Sequence, residues 1–277
     1  MTRRPETPFI GVFDSGVGGL SVLKSIRELL PFQPVLFFGD QGHVPYGSRS
    51  LEEVRAFSKG ITEFLLELGS AMIVVACNTA SAAALHFLRE QFPKVKFVGM
   101  EPAIKPAAEQ TRTGVVGVLA TPATFQGQLY ASVVERFAHD VRILQDTCPG
   151  LVSEIEAGHL TGEETRSILE KALRPMLSQN IDTIVLGCTH YPFVIPLIQE
   201  ITGPGVRVID PAPAIARQTA RILEEIGISQ VAGYRGELQV FTSGDPQSLS
   251  RLLPRLLGET AEITAVTWDD FSRPHLR

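Results

Sequence analysis

Two cysteines carry the pattern in this 277-residue sequence that could do chemistry. Cys77 closes the run Met72-Ile73-Val74-Val75-Ala76 and leads into Asn78-Thr79-Ala80-Ser81-Ala82. Cys188 closes Thr183-Ile184-Val185-Leu186-Gly187 and leads into Thr189-His190-Tyr191-Pro192. In each, a short β-branched strand ends in a small residue, then Cys, then Asn or Thr able to cap a following helix. A thiol beside the free amides of a helix start ionises more readily than an ordinary cysteine. Two such thiols facing one cleft could take a proton from one side of a carbon and return one to the other. A single cysteine at a strand end is most often a small buried hydrophobe, so it is the matched pair that points to acid/base work. Cys148, in Asp-Thr-Cys-Pro-Gly, lacks the preceding apolar strand and is assigned no chemistry.

Other cysteine chemistries fit less well. A phosphatase loop of the CxxxxxR type would need arginine where Ala83 and Val194 stand. An acyl-transfer site needs an imidazole base, and His190 is the one close candidate. Metal binding by Cys188 and His190 needs further ligands that the spacing of the other His and Cys residues does not offer, so no metal is expected. A Schiff-base cofactor needs a suitably placed lysine, yet Lys24, Lys59, Lys94, Lys96, Lys105 and Lys171 all fall in solvated contexts. Thiol acid/base chemistry without a cofactor survives.

The elements that must position these residues alternate between strand and helix. Phe9 to Phe13 reads as a strand, Asp14-Ser15-Gly16-Val17-Gly18-Gly19 as a turn, and Leu20 to Leu30 as an apolar-periodic helix. The glycines permit close approach to an anion or simply a tight turn, and neither standard phosphate motif fits. After the strand Pro34 to Phe38, a long loop runs from Gly39 to Ser50, and Ser50 with Glu53 forms a capping box for an amphipathic helix. Near residue 100 the plan restarts: Gly114 to Ala120 is a buried strand capped by Thr121-Pro122-Ala123-Thr124, and Glu163 to Leu177 is a helix before the second cysteine strand. Pro211 and Pro213 open a helix to about Ile226, and strands over 237–242 and 262–266 flank a helix near 248–257. The expected fold is therefore α/β with two similar lobes. Each is a mostly parallel sheet flanked by helices, with the active site in the interlobe cleft. The first lobe is expected to take residues 1–98 plus 210–277, and the second 99–209.

Composition sets outer bounds. Hydrophobic residues at 44% and charged residues at 20% describe a globular chain with a substantial core. A formal charge of −5 gives no electrostatic footprint for nucleic acid or an anionic membrane, so a small-molecule partner is expected. The segment from Met1 to Pro8, with only a few apolar residues before Asp14, is too short for a secretory leader, and no run reaches membrane-spanning length. Three widely spaced cysteines with no CxxC pair read as free thiols of a reducing compartment, the cytoplasm.

The four stretches Asp14-Ser15-Gly16-Val17-Gly18-Gly19-Leu20, Val44-Pro45-Tyr46-Gly47, Ala76-Cys77-Asn78-Thr79-Ala80-Ser81-Ala82 and Gly187-Cys188-Thr189-His190-Tyr191-Pro192 together resemble the glutamate racemases of the cofactor-independent aspartate/glutamate racemase superfamily. The resemblance spans nearly the whole chain. Either cysteine motif alone would also fit aspartate or hydantoin racemases. It implies interconversion of L- and D-glutamate, supplying D-glutamate for peptidoglycan. It implies that Cys77 acts on D-glutamate with Asp14 assisting, and that Cys188 acts on L-glutamate with His190 assisting and Glu156 behind it. Substrate contacts carry over as Asp14, Ser15, Tyr46, Gly47, Asn78, Thr79, Thr189 and His190, with Thr121 and Thr124 as weaker candidates. Expected partners are thus L- or D-glutamate, with neither nucleic acid nor membrane, and a homodimer left open. A different racemase of the superfamily, or a binding protein that keeps the fold without catalysis, remains an alternative at this point.

Overall fold

Parallel strands buried on both faces read as unbroken apolar runs, and such runs build the centre of each sheet in this protein. A computed structural model describes residues 7–228, 233–269 and 273–277; the stretch Met1 to Glu6, read above for a leader, lies outside them. The chain divides into two units, one made by the described residues up to Met100 with Ala212 onward, the other by Glu101–Pro211.

The first unit holds a seven-stranded sheet. Its strands are β1 (Phe9–Asp14), β2 (Val35–Gly39), β3 (Ser70–Val75), β4 (Lys96–Gly99), β9 (Leu238–Thr242), β10 (Ile263–Asp269) and β11 (Arg273–Leu276), and their order is β11-β10-β9-β2-β1-β3-β4. All pairings are parallel except β10 with β11. That closing antiparallel strand was not expected from the sequence, where Arg273–Leu276 shows no apolar alternation. Helix Gly19–Leu29 packs with helices Ala212–Glu225 and Pro246–Leu257, while Leu51–Glu67 packs with Asn78–Gln91. The Ser50/Glu53 capping box is formed: Ser50 Oγ accepts from the Glu53 N–H, and the Glu53 carboxylate accepts from the Ser50 N–H. Phe13, Phe38, Tyr46, Phe57, Ile73 and Cys77 belong to one apolar cluster.

The second unit repeats the plan with four strands, β5 (Val115–Ala120), β6 (Arg142–Asp146), β7 (Thr183–Gly187) and β8 (Arg207–Ile209), all parallel, in the order β6-β5-β7-β8. Its first helix is Ile104–Gln110. Ile104, Val116, Val118, Tyr130 and Val185 form its core.

The strand orders locate a special position in each sheet. From β1 the chain moves outward to β2, then crosses back over β1 to β3 and on to β4. From β5 it moves to β6, then crosses back over β5 to β7 and on to β8. Connections therefore diverge between β1 and β3, and again between β5 and β7. At such a switch point the loops part and leave a crevice outside the carboxyl ends of the strands, where open α/β sheets bind ligands. Among the described residues no helix is long and apolar enough to cross a membrane.

Candidate active site

In the first unit the switch point is flanked by Asp14, the last residue of β1, and Cys77, just past β3. Asp14 is fully buried, and its Oδ1 accepts from the Ser15 N–H at 2.6 Å and from Ser15 Oγ at 3.2 Å. The glycine that opens the helix makes this fit: a Cβ on Gly19 would stand 2.6 Å from the Asp14 Cβ, so any larger residue there would displace the carboxylate. Cys77 is the N-cap of helix Asn78–Gln91, with its Sγ accepting from the Ala80 N–H at 3.4 Å. The thiol points to Ser15 Oγ at 3.8 Å. A donor chain thus runs from the Cys77 thiol through the Ser15 hydroxyl to the Asp14 carboxylate. Burial, followed by the Asp14 charge, pushes the Cys77 thiol well above the ordinary range despite the Ala80 amide, so the resting form is the thiol.

Around this thiol stand the other residues carried over from the family resemblance. Asn78 is buried, and neither its Oδ1 nor its Nδ2 has a hydrogen-bond partner in the protein, an arrangement that suits a polar ligand group. Thr79 is buried beside it. Tyr46 is buried at the start of the short turn Tyr46–Ser48, with Gly47 half-exposed next to it. Ser15 lies in the glycine-rich turn read from the sequence, and the helix that follows begins at Gly19.

In the second unit, Thr121 directly follows β5 and Cys188 directly follows β7, the corresponding pair of positions. Here the local chemistry differs. His190 is buried, with Nδ1 3.7 Å from Cys188 Sγ and Nε2 2.6 Å from Glu156 Oε1. Glu156 is the last residue of helix Leu151–Glu156, with its side chain 12% exposed. Burial alone would depress the imidazole, but the hydrogen bonds and charges of Cys188 and Glu156 outweigh it and raise His190 well above its usual value. The imidazole is therefore positioned to hold the proton that leaves the thiol.

The expectation that Thr189 opens a helix is corrected by the structure. The chain after Cys188 forms a turn and a single 3-10 turn over Tyr191–Val194, and the α-helix starts only at Ile195. Pro192 and Pro196 limit where the backbone N–H ladder can begin. Cys188 thus relies on an imidazole where Cys77 relies on helix amides. Thr189 is buried next to the thiol, whereas Thr121 and Thr124 bond each other at 2.9 Å at the end of β5. Tyr191, not anticipated, is buried and donates to the Thr147 carbonyl at 3.1 Å. Cys148 adopts a left-handed φ of 43° and is buried, and burial with the nearby Asp146 charge pushes its thiol far up, which leaves it an unreactive structural residue. Sequence reasoning also missed Asp40 and His43, which lie in the long loop after β2 and bond each other at 3.0 Å.

These shifts carry a stability consequence. Cys77, Cys148, Tyr46 and Tyr191 all hold their protons more tightly in the folded chain. In the unfolded chain thiols ionise near about 8.5 and phenols near about 10. Above those values the folded state binds more protons than the unfolded one, so stability falls with rising pH. The raised His190 acts in the same direction: its contribution is full below its unfolded value of about 6.5 and fades as pH climbs through its folded value. The urea midpoint is therefore expected to drop between about pH 8 and 10.5, and a flat profile over that window would contradict the buried-thiol assignment.

Each sheet thus carries a thiol beside its switch point, and each thiol has its own hydrogen-bond partner, in an α/β fold of mostly parallel strands. The chain belongs to the Asp/Glu/hydantoin racemase family, whose model matches residues 10–219, and it is an amino-acid racemase. It is 48% identical to a glutamate racemase of Pseudomonas aeruginosa over 93% of this chain and 97% of that one. Among solved structures it superposes on a glutamate racemase isoform of Bacillus anthracis with a TM-score of 0.84 and 33% identity, covering 95% of this chain and 98% of the other. It superposes on the Escherichia coli glutamate racemase, solved with L-glutamate and an activator, at 0.81 and 35% identity, covering 94% and 97%.

Proposed function

We propose that this protein interconverts L- and D-glutamate without a cofactor, with Cys77 and Cys188 as the two proton-transferring groups acting on opposite faces of one Cα. The observation that carries this reading is the equivalent placement of the two thiols, each one residue or two past the third strand of its sheet and each tied to a different proton acceptor. Toward D-glutamate, Cys188 acts as thiolate and removes the Cα proton of L-glutamate while His190 bears the thiol's former proton against Glu156. Cys77 then donates its proton to the other face. Toward L-glutamate the roles exchange, and Cys77 first loses its proton along the path through Ser15 to Asp14. The Cα–H beside a carboxylate is a very weak acid, so desolvation and amide donors near the carboxylate must lower the barrier.

Asn78, with its unpartnered amide, Ser15, Thr79, Thr189, Tyr46 and Gly47 are the proposed contacts to the amino acid, and the relatives named above support glutamate as that amino acid. The product D-glutamate would serve peptidoglycan synthesis in the cytoplasm. The test is incubation of the purified protein with L-glutamate in D₂O and no added cofactor. Loss of circular dichroism with deuterium appearing at Cα of the D-product is expected. Turnover of aspartate with none of glutamate would reassign the substrate, and inversion without deuterium uptake would rule out solvent-exchanging thiols.

A further inference from the structure

Asp40 follows directly on β2, and its backbone N–H donates to the carbonyl of Asp14 at 2.9 Å. Its carboxylate is fully buried. It accepts from Tyr46 Oη at 2.6 Å, from Ser243 Oγ at 2.6 Å and from the indole N–H of Trp268 at 3.0 Å, and both its oxygens lie 3.0 Å from His43 Nδ1. These groups come from three separate stretches. His43 and Tyr46 are local, whereas Ser243 and Trp268 are 203 and 228 residues away. The sheet explains the meeting: β9 pairs with β2 so that Gly39 faces Thr242, which brings Ser243 level with Asp40, and β10 then lies against β9. Ser243 Oγ also accepts from the Gly42 N–H at 2.9 Å. Aromatic rings complete the enclosure. His43 stacks on Phe57 at 4.2 Å, and Trp268 meets both edge-on at 5.3 and 5.5 Å.

Taking a carboxylate wholly out of water is costly unless donors converge on it, and here they converge well beyond what closing a surface turn requires. A tryptophan near the end of a sheet needs only ring packing for stability, because its N–H is readily met by solvent. In this protein that N–H is aimed inward, at the same carboxylate that fixes the Tyr46 hydroxyl. Tyr46 in turn shares the apolar cluster of Cys77. We infer that Asp40, held from the far end of the chain by Ser243 and Trp268, is a positioning residue that sets Tyr46 in the Cys77 half of the site and thereby tunes affinity for the substrate. The C-terminal strands are then part of the binding apparatus, although they contribute none of the proposed contacts. This inference rests on the reading of Tyr46 as a substrate contact.

Steady-state kinetics of the full chain with glutamate decide it. Trp268→Phe keeps an aromatic ring and removes only the N–H, and the loss of one such hydrogen bond is expected to raise KM by about fivefold while kcat stays within about twofold. Ser243→Ala is expected to act alike. In a Tyr46→Phe background, where the hydroxyl that Asp40 holds is gone, Trp268→Phe is expected to add nothing further to KM, because coupled residues are not additive. A lowered melting temperature with unchanged KM would assign the hub a purely structural role and overturn the inference. So would fold-changes in KM that multiply in the double variant. Should Trp268→Phe fail to fold, Ser243→Ala alone and with Tyr46→Phe is judged by the same two criteria. Absence of glutamate turnover by the unsubstituted enzyme would overturn the proposed function and this inference with it, whereas normal turnover with unaltered KM in the variants overturns the inference alone.

Discussion

Replacing either Cys77 or Cys188 by alanine is expected to lower glutamate racemisation by at least about 10³-fold, the upper part of the range for losing a positioned acid/base group. The two losses should differ in what they leave behind. With Cys77 gone, Cys188 still has His190 to take its proton, so the variant can remove the Cα proton of L-glutamate and return a deuteron to the same face. L-glutamate should therefore slowly gain deuterium without inversion, and D-glutamate should not. Cys188→Ala should show the converse, because the Cys77, Ser15 and Asp14 chain is untouched. Folding is not expected to fail in either case. Cys77→Ala forfeits the acceptor for the Ala80 N–H, worth about 1 kcal/mol as a helix cap, and a serine at 77 restores an acceptor while remaining a much weaker acid than a thiol. Proton NMR of each enantiomer in D₂O, with a melting curve as control, separates these outcomes. Inversion at the original rate in either alanine variant would end the two-thiol account.

That both thiols were legible in the sequence, and their surroundings only partly so, has a physical cause. A buried parallel strand must be apolar throughout, so its end is announced by the first polar or small residues, and Cys77 and Cys188 stand there. The Ser50/Glu53 capping box is equally local, because its donors and acceptors lie three residues apart. The Asp40 cluster has no such signature. Its defining partners are brought in by the pairing of β9 with β2, and although Val44-Pro45-Tyr46-Gly47 marks the loop, nothing in its order of residues points to Asp40 or His43. The Cys188 setting shows the opposite limit. The motif Cys-Thr-His resembles a helix opening as closely as Cys-Asn-Thr does, yet two prolines delay the helix to Ile195 and leave the imidazole to do what amides do at Cys77. Glu156 could be named only through family resemblance, since 34 residues separate it from His190 and neither position signals the other.

The unequal equipment of the two thiols leads to the other large effect, at His190 and Glu156. Enantiomers have the same free energy in an achiral solvent, so no variant can alter kcat/KM in one direction without altering it equally in the other. His190→Asn is accordingly expected to reduce kcat/KM by about 10²-fold both ways, a typical loss for one proton-transferring partner. Direction enters through the isotope effect. With no imidazole to accept the thiol's proton, abstraction by Cys188 becomes the slower of the two transfers, and L-glutamate deuterated at Cα should show the larger primary effect. Glu156→Gln is expected to be milder, about tenfold in kcat, because it removes the charge behind the imidazole and leaves the imidazole in place. Its sign in pH is fixed by the raised state of His190, to which the Glu156 hydrogen bond and charge both contribute. Without that charge the imidazolium is held less firmly, so the alkaline limb of the kcat/KM profile should move to lower pH, equally in both directions, while the acidic limb stays. An alkaline limb that moved upward, or an isotope effect enlarged only for D-glutamate, would place His190 on the wrong side of the reaction.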